Sequence, residues 1–323
     1  MSARMRRLAA IATSLPVRIA VSVGLLAIVA ASIDWGTVSE GLADASWGLF
    51  VAAIGIYFAG FAIASVRWHA LLEAADVPVT QRASLRAYLI GMFANNLLPS
   101  GYGGDAVRAW VVSGTGKPLA RSLTSVIADR VSALLCLLAI AWIACVFKAD
   151  EIPGTVVLLL GISTALLGAV GVVALVIARR RGLGRFLPDA VRPWASEVAG
   201  VIRAYEGDRR LIALVLALGI AYQAVVLTGF WLIAEALGLG LDPAVLAIVV
   251  PPALIVALLP ISVAGFGVRE GAFVVLLGEF GVSAADATLL SLLAVAAVAI
   301  ASAPGGVAIA TGGRAEGLGS RPS

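Results

Sequence analysis

Two glycine-broken stretches inside apolar sequence decide the fold: residues 97–108 read LLPSGYGGDAVR and residues 258–269 read LLPISVAGFGVR. Aligned without a gap, both copies place a proline nine residues before an arginine, which is Arg108 in the first copy and Arg269 in the second. Duplicated, interrupted hydrophobic segments in the two halves of a membrane protein are typical of transporter binding sites. The repeat therefore makes translocation of a lipid or solute the leading hypothesis.

The composition is that of an integral membrane protein. Hydrophobic residues make up 61% of the 323 residues and charged residues only 13%, against about 25% charged in soluble domains. The formal net charge of +4 is attributed to basic loops that set membrane orientation, so nucleic acid is not expected as a partner. The chain has one histidine and two cysteines and lacks the CxxC and HExxH patterns, so no metal site and no cofactor are expected.

Six apolar stretches are long enough to cross a bilayer as helices, at residues 17–33, 46–66, 124–147, 155–178, 211–238 and 284–310. Two further pieces, 85–114 and 244–281, are interrupted by the repeated motif, so each predicts a helical hairpin that enters the membrane partway. The predicted fold is an all-α membrane protein, a single domain over residues 1–323, with about six spanning helices and two re-entrant hairpins. The alternative takes the first half of each interrupted piece as a full span, which gives eight crossings.

Basic residues predict the orientation because they concentrate in cytoplasmic loops. The cluster at residues 4–7 places the N-terminus in the cytoplasm, and Arg314 and Arg321 place the C-terminus there. With this parity the two hairpins enter from opposite faces of the membrane. The repeat-like units, residues 85–147 and 244–310, are therefore predicted to form an inverted repeat. The expected location is the inner membrane of a bacterium.

The longest polar stretch, residues 179–210, is predicted to be a cytoplasmic connector with an amphipathic helix. Trp194, Val198, Val201 and Tyr205 recur there at helical spacing, with charged residues between them. One interpretation lays this helix on the inner leaflet. The other packs it against the helical bundle, and the sequence leaves both open.

Ionisable residues at membrane depth are costly, by about 2.5–3.5 kcal/mol each on insertion scales, and so indicate function. In each motif a short helix is expected to begin after the glycines, with free backbone N–H groups and a positive dipole end that favour an anion. Arg108 and Arg269 then lie within one turn of the helix start, where they can bind phosphate oxygens. The predicted substrate-binding residues, for a membrane lipid with an anionic headgroup, are Asn96, Gly103, Gly104, Asp105, Arg108, Asp129, Arg130, Gln223, Gly265, Gly267, Arg269 and Glu270.

The same polar residues have a purely structural alternative. Asp129 is placed to neutralise Arg108, and Asp105 to neutralise Arg130, which would pin a broken helix against an intact one. Gln223 is of the kind that hydrogen-bonds between membrane helices, a contact worth about 0.6 kcal/mol on average. Both interpretations stay open at the level of sequence, and no catalytic residue is identified.

The stretch NNLLPSGYGGDAVRAWVVSGTGKPLARSLTSVIADRVSAL, residues 95–134, resembles the signature of the lysylphosphatidylglycerol synthase transmembrane family of flippase-like proteins. The shared pattern is an Asn, a Leu-Pro, a glycine run with Gly-Asp and Arg, and then an acidic residue followed by Arg, here Asp129 and Arg130. Residues 258–287 are similar to the second motif of the family. The resemblance covers residues from about 15 to 312, and Asp129 stands where the family often carries Glu.

The resemblance implies a flippase-like protein that binds a phospholipid or polyprenyl phosphate and moves it between leaflets. Larger members add a soluble domain that transfers an aminoacyl group from tRNA to lipid. The sequence ends at Ser323, soon after the last predicted span, so this domain is expected to be absent and the chain is not expected to be an enzyme. The alternatives are a membrane-embedded enzyme, or an accessory subunit that docks a lipid- or glycan-modifying enzyme through residues 179–210.

Overall fold

The computed structural model describes residues 15–32, 35–98, 103–113, 119–148, 152–179, 192–259 and 261–311. Within these ranges the chain is all-α. Twelve helices are present in them: α1 Leu15–Ser32, α2 Trp35–Ala43, α3 Trp47–Ala74, α4 Gln81–Leu97, α5 Gly103–Ser113, α6 Leu119–Phe147, α7 Gly154–Arg179, α8 Arg192–Gly207, α9 Arg209–Ala236, α10 Pro243–Ala257, α11 Val268–Gly278 and α12 Ala284–Ala310.

Four helices, α3, α6, α9 and α12, are long and apolar enough to cross a membrane, with lengths of 27 to 29 residues. They coincide with four of the six predicted spans. The other two predicted spans correspond to α1 and α7, whose ends lie within two residues of the predicted bounds. The prediction of an α-helical, multi-pass membrane protein is therefore confirmed.

The first interrupted piece forms two short helices that pack antiparallel. α4 has 17 residues and α5 has 11, so they extend about 25 and 17 Å, less than the roughly 30 Å of a bilayer core. Gly104 lies against Gly91, and a Cβ at Gly104 would overlap the Gly91 carbonyl oxygen. The backbone N–H of Gly104 donates to Asn95 Oδ1 at 2.8 Å. These lengths and contacts favour a hairpin over the alternative of full spans.

The second interrupted piece is also two short helices in contact, α10 with 15 residues and α11 with 11. The connecting loop turns through left-handed backbone at Ala264, Gly265 and Gly267, where φ is 50°, 80° and 84°. Gly267 is the residue that immediately precedes α11. Two features exclude a side chain at this position. The φ value favours glycine, and an added Cβ would lie 2.6 Å from Leu25 Cβ of α1.

The long helices α3 and α9 pack antiparallel against each other. Gly60 of α3 lies against Val225 of α9, and Tyr57 lies against Gly229. Residue numbers thus rise along α3 as they fall along α9, which shows that the two helices are antiparallel. Small residues at these crossings let the two backbones approach closely, as is common between membrane helices. Both helices of this pair also contact α6 and α12.

Each of the two hairpins packs against a long helix that follows the other hairpin. α4 packs on α12, where Asn96 Nδ2 donates to Ser302 Oγ at 2.8 Å and Arg86 Nη2 donates to the Ala308 carbonyl at 3.2 Å. In the corresponding position on the other side, α10 packs on α6. The first hairpin, α4–α5, thus contacts α12, and the second hairpin, α10–α11, contacts α6.

The amphipathic helix α8 packs on the bundle. Tyr205 donates its hydroxyl hydrogen to the Leu71 carbonyl at 2.8 Å, and Arg121 Nε donates to Glu197 Oε2 at 2.6 Å. Val201 is buried. These contacts fit the alternative in which the connector helix packs against the bundle. Residues 180–191 of the predicted connector lie outside the described part of the chain.

Candidate functional site: a buried ion network and an adjoining cavity

Three helices bring five charged side chains into one hydrogen-bonded group, here called the ion network: Arg67, Asp105, Arg108, Asp129 and Arg130. Asp129 Oδ1 accepts from Arg67 Nε at 2.8 Å, and Asp129 Oδ2 accepts from Arg108 Nη2 at 3.0 Å. Asp105 accepts from Arg108 Nε at 3.0 Å and from Arg130 Nε at 2.9 Å. With three guanidinium groups and two carboxylates, the ion network carries a net charge of +1.

The core of the ion network is closed to solvent. The side chains of Arg67, Arg108 and Asp129 are 1%, 2% and 1% exposed, and buried charges of this kind persist only when they are paired. The Arg108 guanidinium also lies 4.7 Å above the Trp68 ring and 4.8 Å from the Tyr88 ring, in cation–π geometry. Arg108 and its partners thus adopt the paired arrangement that the sequence left open as an alternative.

Arg67 is the member of the ion network that sequence reasoning misplaced. The second span was predicted to end at residue 66, which put Arg67 in a cytoplasmic loop, whereas α3 continues to Ala74 and buries it. The error arose because about 20 residues already suffice to cross a bilayer, so the span was ended too early. The missed signal is the absence of a helix stop before Pro78, since aromatic and apolar residues continue past Arg67.

The second motif forms a smaller and neutral group. Glu270 is fully buried; its Oε1 accepts from Arg269 Nη2 at 2.6 Å and its Oε2 accepts from the Gly267 N–H at 2.6 Å. Ser291 of α12 donates to Glu270 Oε1 at 3.3 Å and accepts from Arg269 Nε at 3.2 Å. The two motifs therefore differ in chemistry, since one holds an interhelical network and the other a single local ion pair.

The helix starts carry less free donor capacity than the sequence analysis expected. The Gly104 N–H at the start of α5 is bonded to the Asn95 side chain, and the Gly267 N–H before α11 is bonded to the Glu270 carboxylate. Both donors are thus occupied by the chain's own oxygens. An anion at either position would therefore have to bind without that N–H group.

Three further predicted residues contribute to structure around the motifs. Gln223 of α9 is buried and donates to the Ala133 carbonyl of α6 at 2.8 Å, which is an interhelical hydrogen bond. Gly103 is the first residue of α5, and Gly265 lies in the turn before α11. None of the three lines the cavity that is described next.

A cavity with a volume of about 240 Å³ lies between α3 and α4 on one side and α9–α12 on the other. Of the predicted site residues, Asn96 and Arg269 line it, and the ion network does not. Most of its wall is apolar or aromatic, and the lining residues are Tyr57, Phe61, Met92, Asn96, Tyr222, Val226, Phe230, Leu254, Arg269, Ser291, Ala294, Val295 and Val298. Within this described lining, Arg269 is the charged residue.

Two polar groups in the cavity wall have unused hydrogen-bonding capacity. The Tyr57 hydroxyl is buried and has no hydrogen-bond partner within the described ranges. The Arg269 side chain is 13% exposed, and its guanidinium lies 5.3 Å from the Phe266 ring centre. A wall that is mostly apolar, with a few polar groups and one cation, is typical of small-molecule sites. Sequence reasoning did not identify Tyr57, because an aromatic residue in a spanning helix gives no pattern of its own.

Comparison with known families adds one match. A model described as the lysylphosphatidylglycerol synthase TM region matches residues 16–306. The chain belongs to this family. The family assignment made from the two motifs is thereby confirmed, and it places the chain among membrane proteins of lipid metabolism or transport. No curated protein and no solved structure matches the chain.

Proposed function

We propose that this protein binds a phosphate-bearing lipid by its headgroup in the cavity beside Arg269 and moves that lipid between the two leaflets. The observation that carries the proposal is the position of Arg269, a cation on the wall of a mostly apolar and aromatic cavity where α3 and α4 meet α9–α12. A guanidinium recognises phosphate oxygens through paired N–H donors. Asn96 and the Tyr57 hydroxyl, which has no hydrogen-bond partner in the described part of the chain, supply neutral donors on the same wall.

The size of the cavity limits what part of the lipid it takes. At about 240 Å³ it lies below the roughly 300–1,000 Å³ of sites that enclose a drug-sized ligand. A whole two-chain lipid therefore does not fit. The headgroup and the adjoining part of the lipid occupy the cavity, and the acyl or prenyl chains extend into the surrounding bilayer.

Movement between leaflets is supported by the relation between the two halves, which we propose to be an inverted repeat of α3–α6 and α9–α12. Equivalent helices α3 and α9 run antiparallel, and the contact of α4 with α12 has its counterpart in the contact of α10 with α6. In inverted-repeat transporters, rocking of one unit against the other opens a central site to each side in turn. The cavity lies at such a boundary. The cytoplasmic termini and the bacterial inner membrane remain part of this proposal.

The ion network has a different role in this proposal. Its arginines are engaged with Asp105 and Asp129, and it ties α5 to α3 and α6. It keeps the first hairpin fixed against the long helices while the headgroup binds beside the second motif. Arg108 is thus assigned to positioning, and Arg269 to binding. The sequence shows no ATP-binding P-loop, so the driving force is an ion gradient or the lipid gradient itself.

Native mass spectrometry of the purified protein tests the binding step. Wild type is compared with Arg269→Ala and with the matched control Arg203→Ala, which removes an exposed arginine of α8. We expect wild type and Arg203→Ala to retain an anionic lipid and Arg269→Ala to lose it. Equal retention by all three proteins would contradict the proposed site. Formation of a modified lipid by wild type would instead favour the alternative of a membrane-embedded enzyme.

A further inference from the structure

Among the residues that the structure describes, one cation is bonded to the Glu270 carboxylate. The carboxylate is fully buried, and its partners are the Arg269 guanidinium, the Gly267 N–H and the Ser291 hydroxyl. Of these only Arg269 carries a positive charge. The charge of Glu270 is therefore balanced by the same guanidinium that faces the cavity.

An anion in the cavity competes for that guanidinium. Nε and Nη2 of Arg269 already serve Glu270 and Ser291, while Nη1 has no hydrogen-bond partner in the described part of the chain. A phosphate that takes Nη1 and shares Nη2 places two negative groups on one cation. Buried charge without a counter-ion is strongly unfavourable, so either the anion or Glu270 has to be neutralised.

We propose that binding of an anionic headgroup at Arg269 is accompanied by uptake of one proton at Glu270. This inference rests on the proposed function and names the ion that accompanies the lipid. The proton comes from solvent and adds to a Glu270 oxygen, so that the pair of anions carries a total of one negative charge against one guanidinium. The protonated carboxyl keeps one oxygen as acceptor for the Gly267 N–H and donates its O–H to Ser291 Oγ.

The described elements that pack against α11 carry few titratable side chains that could take up the proton in place of Glu270. α11 contacts α1, α10 and α12. α10 contains no titratable residue, and Asp286 of α12 is hydrogen-bonded to Ser283 at the helix start. The titratable residue of α1 is Arg18, whose side chain lies outside the described part. Tyr57 and Tyr222 are the phenols of the cavity wall, and Glu279 is exposed at the far end of α11.

The coupling has a definite sign. If the complex holds one proton more than the free protein, then affinity rises as the pH falls, by up to tenfold per pH unit. Replacing Glu270 with Gln mimics the protonated side chain and removes the site of uptake. The affinity of Glu270→Gln should therefore be independent of pH over the range in which wild type varies.

Isothermal titration calorimetry tests this with dihexanoyl phosphatidylglycerol as the probe, because its phosphodiester does not titrate near neutral pH. The full chain in detergent is titrated in two buffers of different ionisation enthalpy, which gives the number of protons taken up per lipid bound. We expect about one proton for wild type, none for Glu270→Gln, and the wild-type value for the exposed control Glu279→Gln.

The possible outcomes separate the two proposals. Binding by wild type without proton uptake would overturn the coupling and leave the proposed function standing. Absence of binding by wild type would overturn the proposed function, and the coupling with it. If Glu270→Gln does not fold, the wild-type heats in the two buffers still decide the question.

Discussion

Arg67 and Arg108 share one carboxylate, that of Asp129, and each takes a different oxygen. Arg67 Nε bonds Oδ1 at 2.8 Å and Arg108 Nη2 bonds Oδ2 at 3.0 Å. Asp129 thus joins α3, α5 and α6 at one point, where all three side chains are buried. The stability of the first hairpin should therefore depend on this single carboxylate.

Asp129→Asn should destabilise the protein strongly. The substitution leaves two buried guanidinium groups with one counter-ion fewer, and breaking a buried pair in this way costs about 3–5 kcal/mol. Thermal unfolding of the purified protein in detergent measures the loss. Asp44→Asn, at an exposed position, is the matched control and should leave the melting temperature unchanged. An Asp129→Asn protein as stable as wild type would show that the ion network does not hold the hairpin.

Gly104→Ala should separate α4 from α5. The added Cβ overlaps the Gly91 carbonyl oxygen and lies 2.7 Å from the Asn95 nitrogen, and rigid backbone cannot move aside as a side chain does. Overpacking of this kind costs about 1–3 kcal/mol or more. The control is Gly161→Ala in α7, where no atom of the described residues lies within 4 Å of the added Cβ. Melting temperatures that fall equally in both variants would mean that the close contact of the hairpin is not required.

Tyr57→Phe should separate binding from stability. The hydroxyl is buried and has no hydrogen-bond partner among the described residues, so its removal should leave the free energy of unfolding unchanged or raise it by up to about 1 kcal/mol. Lipid affinity should nevertheless fall severalfold, because the cavity loses a donor. Tyr205→Phe is the converse control, since it removes a bond to the Leu71 carbonyl and should lower stability with no effect on lipid binding. Unchanged affinity in Tyr57→Phe would exclude the hydroxyl from the binding site.

Asp242 should contribute an acid-sensitive contact between the two halves. Lys148 Nζ lies 2.9 Å from Asp242 Oδ2, and hydrogen bonds from Lys148 and from the Ala244 N–H lower the pKa of Asp242. Because the pKa is lower in the folded state, the stabilisation is present above the unfolded value of about 3.9 and is lost as the pH falls below it. Melting temperature should therefore drop less in Asp242→Asn than in wild type on acidification through this range. Identical pH profiles would show that the pair does not stabilise the fold.

Much of the architecture could be predicted because length and hydropathy determine which segments can span a bilayer. The helices at the six predicted spans and the two interrupted pieces follow from that requirement. The pairs Arg108–Asp129 and Arg130–Asp105 could be predicted from the sequence as one of two alternatives. The contacts between segments could not be predicted, because spanning helices are apolar on all faces and have no periodic pattern that indicates which helix they pack against. The packing of α4 on α12 and of α10 on α6 is an example of such a contact.

Adjacent residues can also face different surroundings, which a motif does not reveal. Asn95 bonds the Gly104 N–H within the hairpin, while Asn96, about 100° further around the helix, bonds Ser302 and lines the cavity. Because both are asparagines at adjacent positions of one motif, the sequence does not distinguish their roles. Arg108 and Arg269, equivalent in the repeat, differ in the same way. Arg108 meets Asp129 of α6, whereas Arg269 meets Ser291 of α12 and remains partly exposed to the cavity.

The proposed movement of a lipid at the Arg269 site can be tested in vesicles. The protein is reconstituted into liposomes that contain fluorescent phosphatidylglycerol, and dithionite added outside quenches only the outer leaflet, so the slow loss of the remaining signal reports flipping. Wild type and the exposed control Arg203→Ala should flip the lipid at the same rate, and Arg269→Ala should be at least about tenfold slower, since loss of one charge-assisted contact of 1.5–3 kcal/mol lowers a rate by that factor or more. Equal rates for wild type and Arg269→Ala would contradict a headgroup site at Arg269.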